Sequence, residues 1–254
     1  MADILTSYWY IIMLFFGIAL LYSSAGFGGG SSYLAVLVLT GLAYTEIRAT
    51  SLLCNIIVVS SGTYIYHKNG LVNWKKILPL VLASMPLAFV GGWIKISQST
   101  FFILLGISLL VASSLMLVSN KNHLDKNKGD KSNLKRDMFL GSGIGFLSGI
   151  VGIGGGIFLA PLLHFTKWDI PKKIAATASV FILLNSITGL IGQSLNPNFN
   201  LDYPLTLSLL IAVFVGGQIG SRLSANMLSQ LWIKRITAIV IAIVGFRTLW
   251  NNIL

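Results

Sequence analysis

Gly26-Phe27-Gly28-Gly29-Gly30 occurs again as Gly152-Ile153-Gly154-Gly155-Gly156, 126 residues further on. Ile47-Arg48-Ala49-Thr50 is matched by Ile174-Ala175-Ala176-Thr177 at an offset of 127. Phe89-Val90-Gly91-Gly92-Trp93-Ile94 is matched by Phe214-Val215-Gly216-Gly217-Gln218-Ile219 at an offset of 125. Three matches in one order, with offsets drifting by a residue, mark a duplicated half. The chain that carries them is 55% hydrophobic and only 10% charged, which argues against a soluble globule. A duplicated half inside an apolar chain is the sequence mark of a membrane transporter.

Apolar stretches run over 8–25, 31–42, 48–66, 77–94, 101–119, 138–151, 157–165, 174–192, 204–221 and 235–250. Several reach the roughly 20 residues that a membrane-spanning helix needs. The expected fold is therefore an all-α polytopic membrane protein whose first partner is the lipid bilayer. The net charge of +11 does not indicate nucleic acid. Its one charge-rich segment, Lys121 to Asp137, alternates lysines with aspartates and asparagines and holds no aromatic residue for base stacking. That segment reads as a solvated linker at 120–137, between a first repeat at 1–119 and a second at 138–254. The single cysteine, Cys54, excludes an intrachain disulfide. The first apolar run follows Asp3 with no Lys or Arg before it, so it reads as a retained helix rather than a cleaved signal.

Segments 31–42 and 157–165 are too short to cross a ~30 Å hydrocarbon core comfortably, and each follows a glycine cluster. Either each forms a hairpin with the helix before it, or each pair is one broken helix that crosses once. The distribution of Lys and Arg separates the two. With hairpins, 15 of the 18 cationic residues fall in cytoplasmic loops, leaving Arg48, Lys95 and Arg247 outside. With single crossings the split is 10 against 8. The hairpin arrangement follows, either dipping halfway or crossing twice. A hairpin plus three spans is an odd number of net crossings, so the second repeat is inserted upside down relative to the first. Both termini are then extracytoplasmic and the central linker cytoplasmic. Trp9, Trp93 and Trp250 fall at the outer boundary, and Trp74, Trp168 and Trp232 at the inner one, as an aromatic belt would place them.

Each glycine cluster breaks a helix within the membrane and starts another, near Ser31 and near Ile157. A helix start carries about half a positive charge and unpaired N–H groups. Two such ends related by a pseudo-two-fold axis form an anion site. The competing reading is that the glycines serve only close helix packing. In the following helices, Thr50 and Ser61 are eleven residues apart, as are Thr177 and Thr188, and Asn55, Ser179, Asn185 and Ser186 add hydrogen-bonding groups. Any one of these hydroxyls also fits a role as interhelical glue. Gly141, Gly145 and Gly149 form a small-residue stripe read as close packing.

All seven acidic residues lie in loops or at helix ends, so no span carries the carboxylate that a cation transporter needs. A small anionic substrate is favoured. Arg48, at the outer start of its helix, either draws an anion to the mouth or snorkels at the interface. His67, His123 and His164 are too dispersed to form a metal site, and no nucleophile–base pair stands out, so neither a metal, a cofactor nor an enzymatic activity is expected.

The paired G-x-G-G-G motifs, the Ala49-Thr50 and Ala176-Thr177 steps, and Pro161 after the second motif resemble the TauE/SafE sulfite exporter family of membrane transporters. The resemblance covers both halves. It implies a secondary transporter of sulfite, other sulfur oxyanions or organosulfonates in a bacterial-type inner membrane. The first half departs from the motif, with Ser31-Ser32 after its glycines and Ala35 where the second has Pro161. The expected substrate-binding set is Gly28, Gly29, Gly30, Ser31, Thr50, Ser51, Gly154, Gly155, Gly156, Thr177 and Ser179, with Arg48 at the entrance. With these groups alone, binding would be insensitive to pH above the substrate's own pKa. A passive anion channel, or a non-transporting membrane assembly subunit, would use the same glycine-rich faces differently. A homo-oligomer is compatible with this architecture, and no residue marks a coupling ion.

Overall fold

A computed structural model describes residues 2–24, 28–118, 133–197, 199–222 and 230–253. They form ten helices: α1 (Ala2–Ser24), α2 (Gly30–Val38), α3 (Tyr44–Lys68), α4 (Trp74–Trp93), α5 (Gln98–Val118), α6 (Leu134–Val151), α7 (Gly156–Phe165), α8 (Pro171–Ser194), α9 (Tyr203–Arg222) and α10 (Gln230–Ile253). Each apolar stretch of the sequence is one of these helices, and no strand occurs among the described residues. Five of them, α3, α4, α5, α8 and α9, are long and apolar enough to cross a membrane. The protein is a polytopic helical membrane protein. The linker expected over 120–137 lies outside the described residues up to position 132. From Asn133 onward that stretch already belongs to α6, because the Asn133 carboxamide caps the helix by accepting from the Lys135 and Arg136 N–H groups.

Helices α2 and α7, at 9 and 10 residues, are about 14–15 Å long, half of what a crossing requires. Both fold back on the helix before them. Phe15 of α1 stacks on Tyr33 of α2 with ring centroids 4.8 Å apart, and the Tyr22 and Ser32 hydroxyls lie 2.8 Å apart. A straight continuation would separate Phe15 and Tyr33 by roughly 27 Å along the axis. In the second half, Trp168, just past α7, donates its indole N–H to Asp137 in the first turn of α6 at 3.0 Å. The far end of α7 therefore sits beside the beginning of α6, as in a hairpin.

The same contact corrects the aromatic belt. Trp9, Trp74, Trp93 and Trp250 are 46–61% exposed, as lipid-facing anchors should be, but Trp168 is fully buried. The loop after α7 tucks under the bundle. There Trp168 packs beneath the Lys76 ammonium, 5.3 Å from its ring centroid, while Lys76 pairs with Asp169 at 3.1 Å. Trp232 has no described side chain.

The two halves interlock rather than stand apart. Helix α4 packs on α6 and α1 on α9; α5 packs on α10 and α3 on α8; α10 meets α2 as α5 meets α7. Exchanging one half for the other maps each of these pairings onto another of them or onto itself. The central pair obeys the same exchange in detail. Gly62 faces Ser179 and Gly189 faces Leu52, and both Gly62/Gly189 and Leu52/Ser179 are 127 residues apart.

Small residues set the helix spacing. A Cβ on Gly141, Gly145 or Gly149 of α6 would strike the backbone carbonyls of Leu80, Ser84 and Ala88 on α4. Gly216 and Gly220 of α9 likewise face the carbonyls of Phe16 and Leu20 on α1. Two backbones in contact gain dispersion along their whole length, which is the way helices associate where lipid removes the hydrophobic drive. Gly149→Ala should accordingly destabilise the protein by about 1–3 kcal/mol through overpacking. Gly143→Ala, on the same helix with nothing within 4 Å of its Cβ, should be neutral or slightly stabilising. Thermal-shift measurements in detergent compare the two directly.

Candidate functional site: two helix starts around Asn55

The glycine clusters fold as two left-handed caps. Gly29, at φ +86°, precedes α2, and Gly155, at φ +81°, precedes α7. Gly152 and Gly154 also have positive φ, at +82° and +83°. This is backbone that only glycine adopts without strain. Neither cap supplies a side-chain acceptor, so the first N–H groups of α2 and α7 have no capping oxygen. An unrelieved helix start carries both free donors and the positive end of the macrodipole.

These two starts meet at one side chain. Asn55 of α3 is fully buried and donates Nδ2–H to the Ile153 carbonyl in the second break at 3.0 Å. A Cβ on Gly28 would lie 2.7 Å from Asn55 Oδ1, and one on Gly154 would lie 2.7 Å from Nδ2. Gly30 is pressed on the same carboxamide. Ile182 of α8, 127 residues from Asn55, touches Gly28, Gly154 and Gly156 from the opposite side. Ser51, one turn before Asn55, donates its hydroxyl to the Gly30 carbonyl at 3.2 Å. Ser186, one turn after Ile182, is buried with its hydroxyl against Gly154, 2.9 Å from where a Cβ would be. Asn55 Oδ1 and Ser186 Oγ have no hydrogen-bond partner.

The structure thus brings together Gly28, Gly29, Gly30, Ser51, Gly154, Gly155 and Gly156, with the buried Ser31 in the first turn of α2. It engages Thr50, Thr177 and Ser179 elsewhere. The Thr50 hydroxyl lies 3.1 Å from that of Thr206 on α9, and Thr177 donates to the Lys173 carbonyl of its own helix at 2.8 Å. The Ser179 hydroxyl lies 2.9 Å from that of Thr63, across the α3–α8 contact. Asn55 and Ser186, read on sequence only as added hydrogen-bonding groups in these helices, are absent from the set chosen there. The signal that marks Asn55 is its place one turn beyond Ser51 in an apolar helix. Among the described residues, no cluster of His, Cys, Asp and Glu is disposed to hold a metal ion.

Arg48 is 1% exposed. Its Nη2 donates to the carbonyls of Gly91, Gly92 and Gly149 at 3.4, 3.3 and 3.0 Å. These oxygens belong to the last turns of α4 and α6, where carbonyls lack intrahelical donors and the dipole is negative. One guanidinium thus closes two helix ends and holds α4 of the first half to α6 of the second. Arg48→Met should lower stability by about 1.5–3 kcal/mol, the worth of hydrogen bonds to a charged group, seen as a lower melting temperature in detergent. Flux measured on the same variant separates this clamp from a role at the entrance.

Sequence comparison agrees with this architecture. The family model described as Sulfite exporter TauE/SafE matches residues 11–248. A probable membrane transporter protein, y4hK, of Sinorhizobium fredii is 33% identical over 94% of this chain and 97% of its own length. The probable membrane transporter protein YunE of Bacillus subtilis is 27% identical over 80% of each chain. The probable membrane transporter protein MJ0441 of Methanocaldococcus jannaschii is 26% identical over 61% of each. No solved structure matches the chain. Glycine-broken hairpins, a duplicated half and a family match over nearly the full length lead to one assignment: this chain is a membrane transporter of the TauE/SafE sulfite exporter family.

Proposed function

We propose that this protein is a secondary transporter of a small sulfur oxyanion or organosulfonate, working by alternating access between two inverted repeats. The observation that carries the reading is the convergence of two uncapped helix starts, one from each half, on the centre of the bundle. Together they offer about one positive charge and several free N–H donors, with no carboxylate beside them. The family description names sulfite, which supports the sulfur class. The exchange of helix pairings between the halves supports a pseudo-two-fold relation, and the Lys/Arg distribution supports its inverted sense in the membrane.

In this scheme α3 shifts against α8, uncovering the glycine breaks to one side and then the other, while the close α4–α6 and α1–α9 contacts that interlock the halves are kept. The cargo sits between the breaks, held by the N–H groups of Gly30, Ser31, Gly156 and Ile157. Thr50, Thr177 and Ser179 line the moving α3 and α8 faces, and Arg48 adds a buried charge near the outer end of α3.

Purified protein in proteoliposomes should move labelled sulfite or thiosulfate at turnover rates, not channel conductances. Absence of flux for every sulfur anion tested would overturn the substrate. Gly155→Ala places a Cβ 2.8 Å from Phe181 Cε1 at a positive φ, and should abolish flux while leaving the protein membrane-inserted. A periplasm-dependent reporter fused after Leu254 should be active, and the same reporter inserted near Lys126 inactive. The opposite pattern would overturn the orientation.

A further inference from the structure

We propose that Asn55 reads the protonation state of the cargo: the site takes a monoanion bearing a hydrogen on one of its polar atoms and disfavours the proton-free dianion. The proposal rests on the transporter reading above and assigns the chemical form of its cargo. Three observations carry it.

The first is charge. Two helix starts supply about +0.5 each, enough to balance one negative charge and not two. The one charged side chain buried within α3, Arg48, stands seven residues from Asn55, and its Nη2 is engaged by the carbonyl ends of α4 and α6. A second negative charge on the cargo would have only that more distant guanidinium to answer it in a medium of low dielectric.

The second is hydrogen-bond polarity. The free backbone groups at the two breaks are donors, suited to cargo oxygens. Asn55 Oδ1 is the opposite: a carbonyl oxygen that only accepts, 0% exposed and without a donor. Its orientation is set by the neighbouring Nδ2, which donates to the Ile153 carbonyl. A bare oxyanion brings lone pairs to that atom and repels it. A cargo with an O–H, S–H or N–H satisfies it. Ser186 Oγ, also unpartnered, both donates and accepts, and so serves either a protonated or a bare atom.

The third is the chemistry of the surroundings. The buried ionisable side chains of α1, α2 and α3 are Tyr22, Tyr33, Arg48 and Cys54, and His67 and His164 stand in the last turns of α3 and α7. Helix α8 has none from Ile174 to Ser194, and neither does the break from Gly152 to Gly156. Tyrosine, cysteine and arginine side chains do not ordinarily ionise between about pH 5 and about pH 8. A pH dependence of transport in that interval that persists in the His67→Gln/His164→Gln double variant therefore belongs to the cargo.

The breaks are closed tightly on Asn55, so the cargo enters as α3 and α8 shift, with Nδ2 kept on the Ile153 carbonyl and Oδ1 left to meet the cargo.

The test uses wild-type protein in proteoliposomes with the same pH inside and out, so that pH changes the sulfite species and not the driving force. At fixed total sulfite, the initial rate should follow the hydrogensulfite fraction and fall as the dianion takes over. Sulfate, a dianion that keeps no proton at neutral pH, should compete about ten- to a hundredfold more weakly, the cost of an unanswered buried acceptor. Asn55→Leu, of similar volume but without the acceptor, should lose that discrimination and not merely the rate. Ser186→Ala should lower the rate and keep the discrimination. A wild-type rate that is flat with pH or follows the dianion overturns this inference and leaves the transporter standing, as does discrimination that survives in Asn55→Leu. If Asn55→Leu does not fold, the pH profile of the His67→Gln/His164→Gln double variant decides: a profile that still follows the hydrogensulfite fraction supports the inference and a flat one overturns it. No flux of any sulfur oxyanion overturns both readings.

Discussion

Backbone that leaves a helix inside a membrane must find partners in the protein, because the hydrocarbon offers none. This protein breaks its backbone twice in the interior of its helical bundle, and the surrounding helices answer the problem. The carbonyl of Ile153 is met by Asn55 and that of Gly30 by Ser51, both from α3. The breaks are buried between α3 and α8, the two central helices, and are not exposed to lipid. Carbonyls accept bonds readily from side chains, whereas the N–H groups at the starts of α2 and α7 are left without side-chain acceptors. The Gly30 and Ile153 carbonyls are thus answered from α3, while no side chain caps the N–H groups at either helix start.

Close approach is the second requirement, and it explains where glycine is spent. Gly28, Gly30, Gly154 and Gly156 have almost no room for a side chain, because both breaks crowd one carboxamide and one isoleucine. Gly141, Gly145 and Gly149 do a different job at the α4–α6 contact, bringing two backbones together along roughly two turns. The two roles meet at Gly152, which ends α6 in a left-handed turn against the backbone of Arg48. Arg48 then secures the ends of α4 and α6 through their carbonyls. The tight face of the bundle and the broken centre are therefore one mechanical unit, linked through the first turns of α3.

The halves match in backbone but not in side chains. Helix pairings exchange faithfully between them, yet Asn55 corresponds to Ile182, Arg48 to Ala175 and Ser179 to Leu52. A symmetric pair of helix starts thus surrounds an asymmetric set of side chains.

The sequence by itself determined the helices, the duplication and the glycine breaks, because apolar run length and glycine's backbone freedom are local properties. It also placed the close-packed stripe of α6, since a four-residue spacing puts Gly141, Gly145 and Gly149 on one face whatever lies opposite. Only the tertiary structure decided which polar side chains reach the breaks. Thr50 and Thr177 stood out as a duplicated pair, but their hydroxyls are engaged by Thr206 and by the Lys173 carbonyl, while the unduplicated Asn55 and Ser186 face the glycines. Trp168 likewise looked interfacial from its position in the chain and is buried by the fold-back of α7. The physical reason is the same in each case. Spacing along a helix fixes which residues share a face, but what that face meets depends on how α3 and α8 cross, and that crossing is set by contacts more than a hundred residues apart.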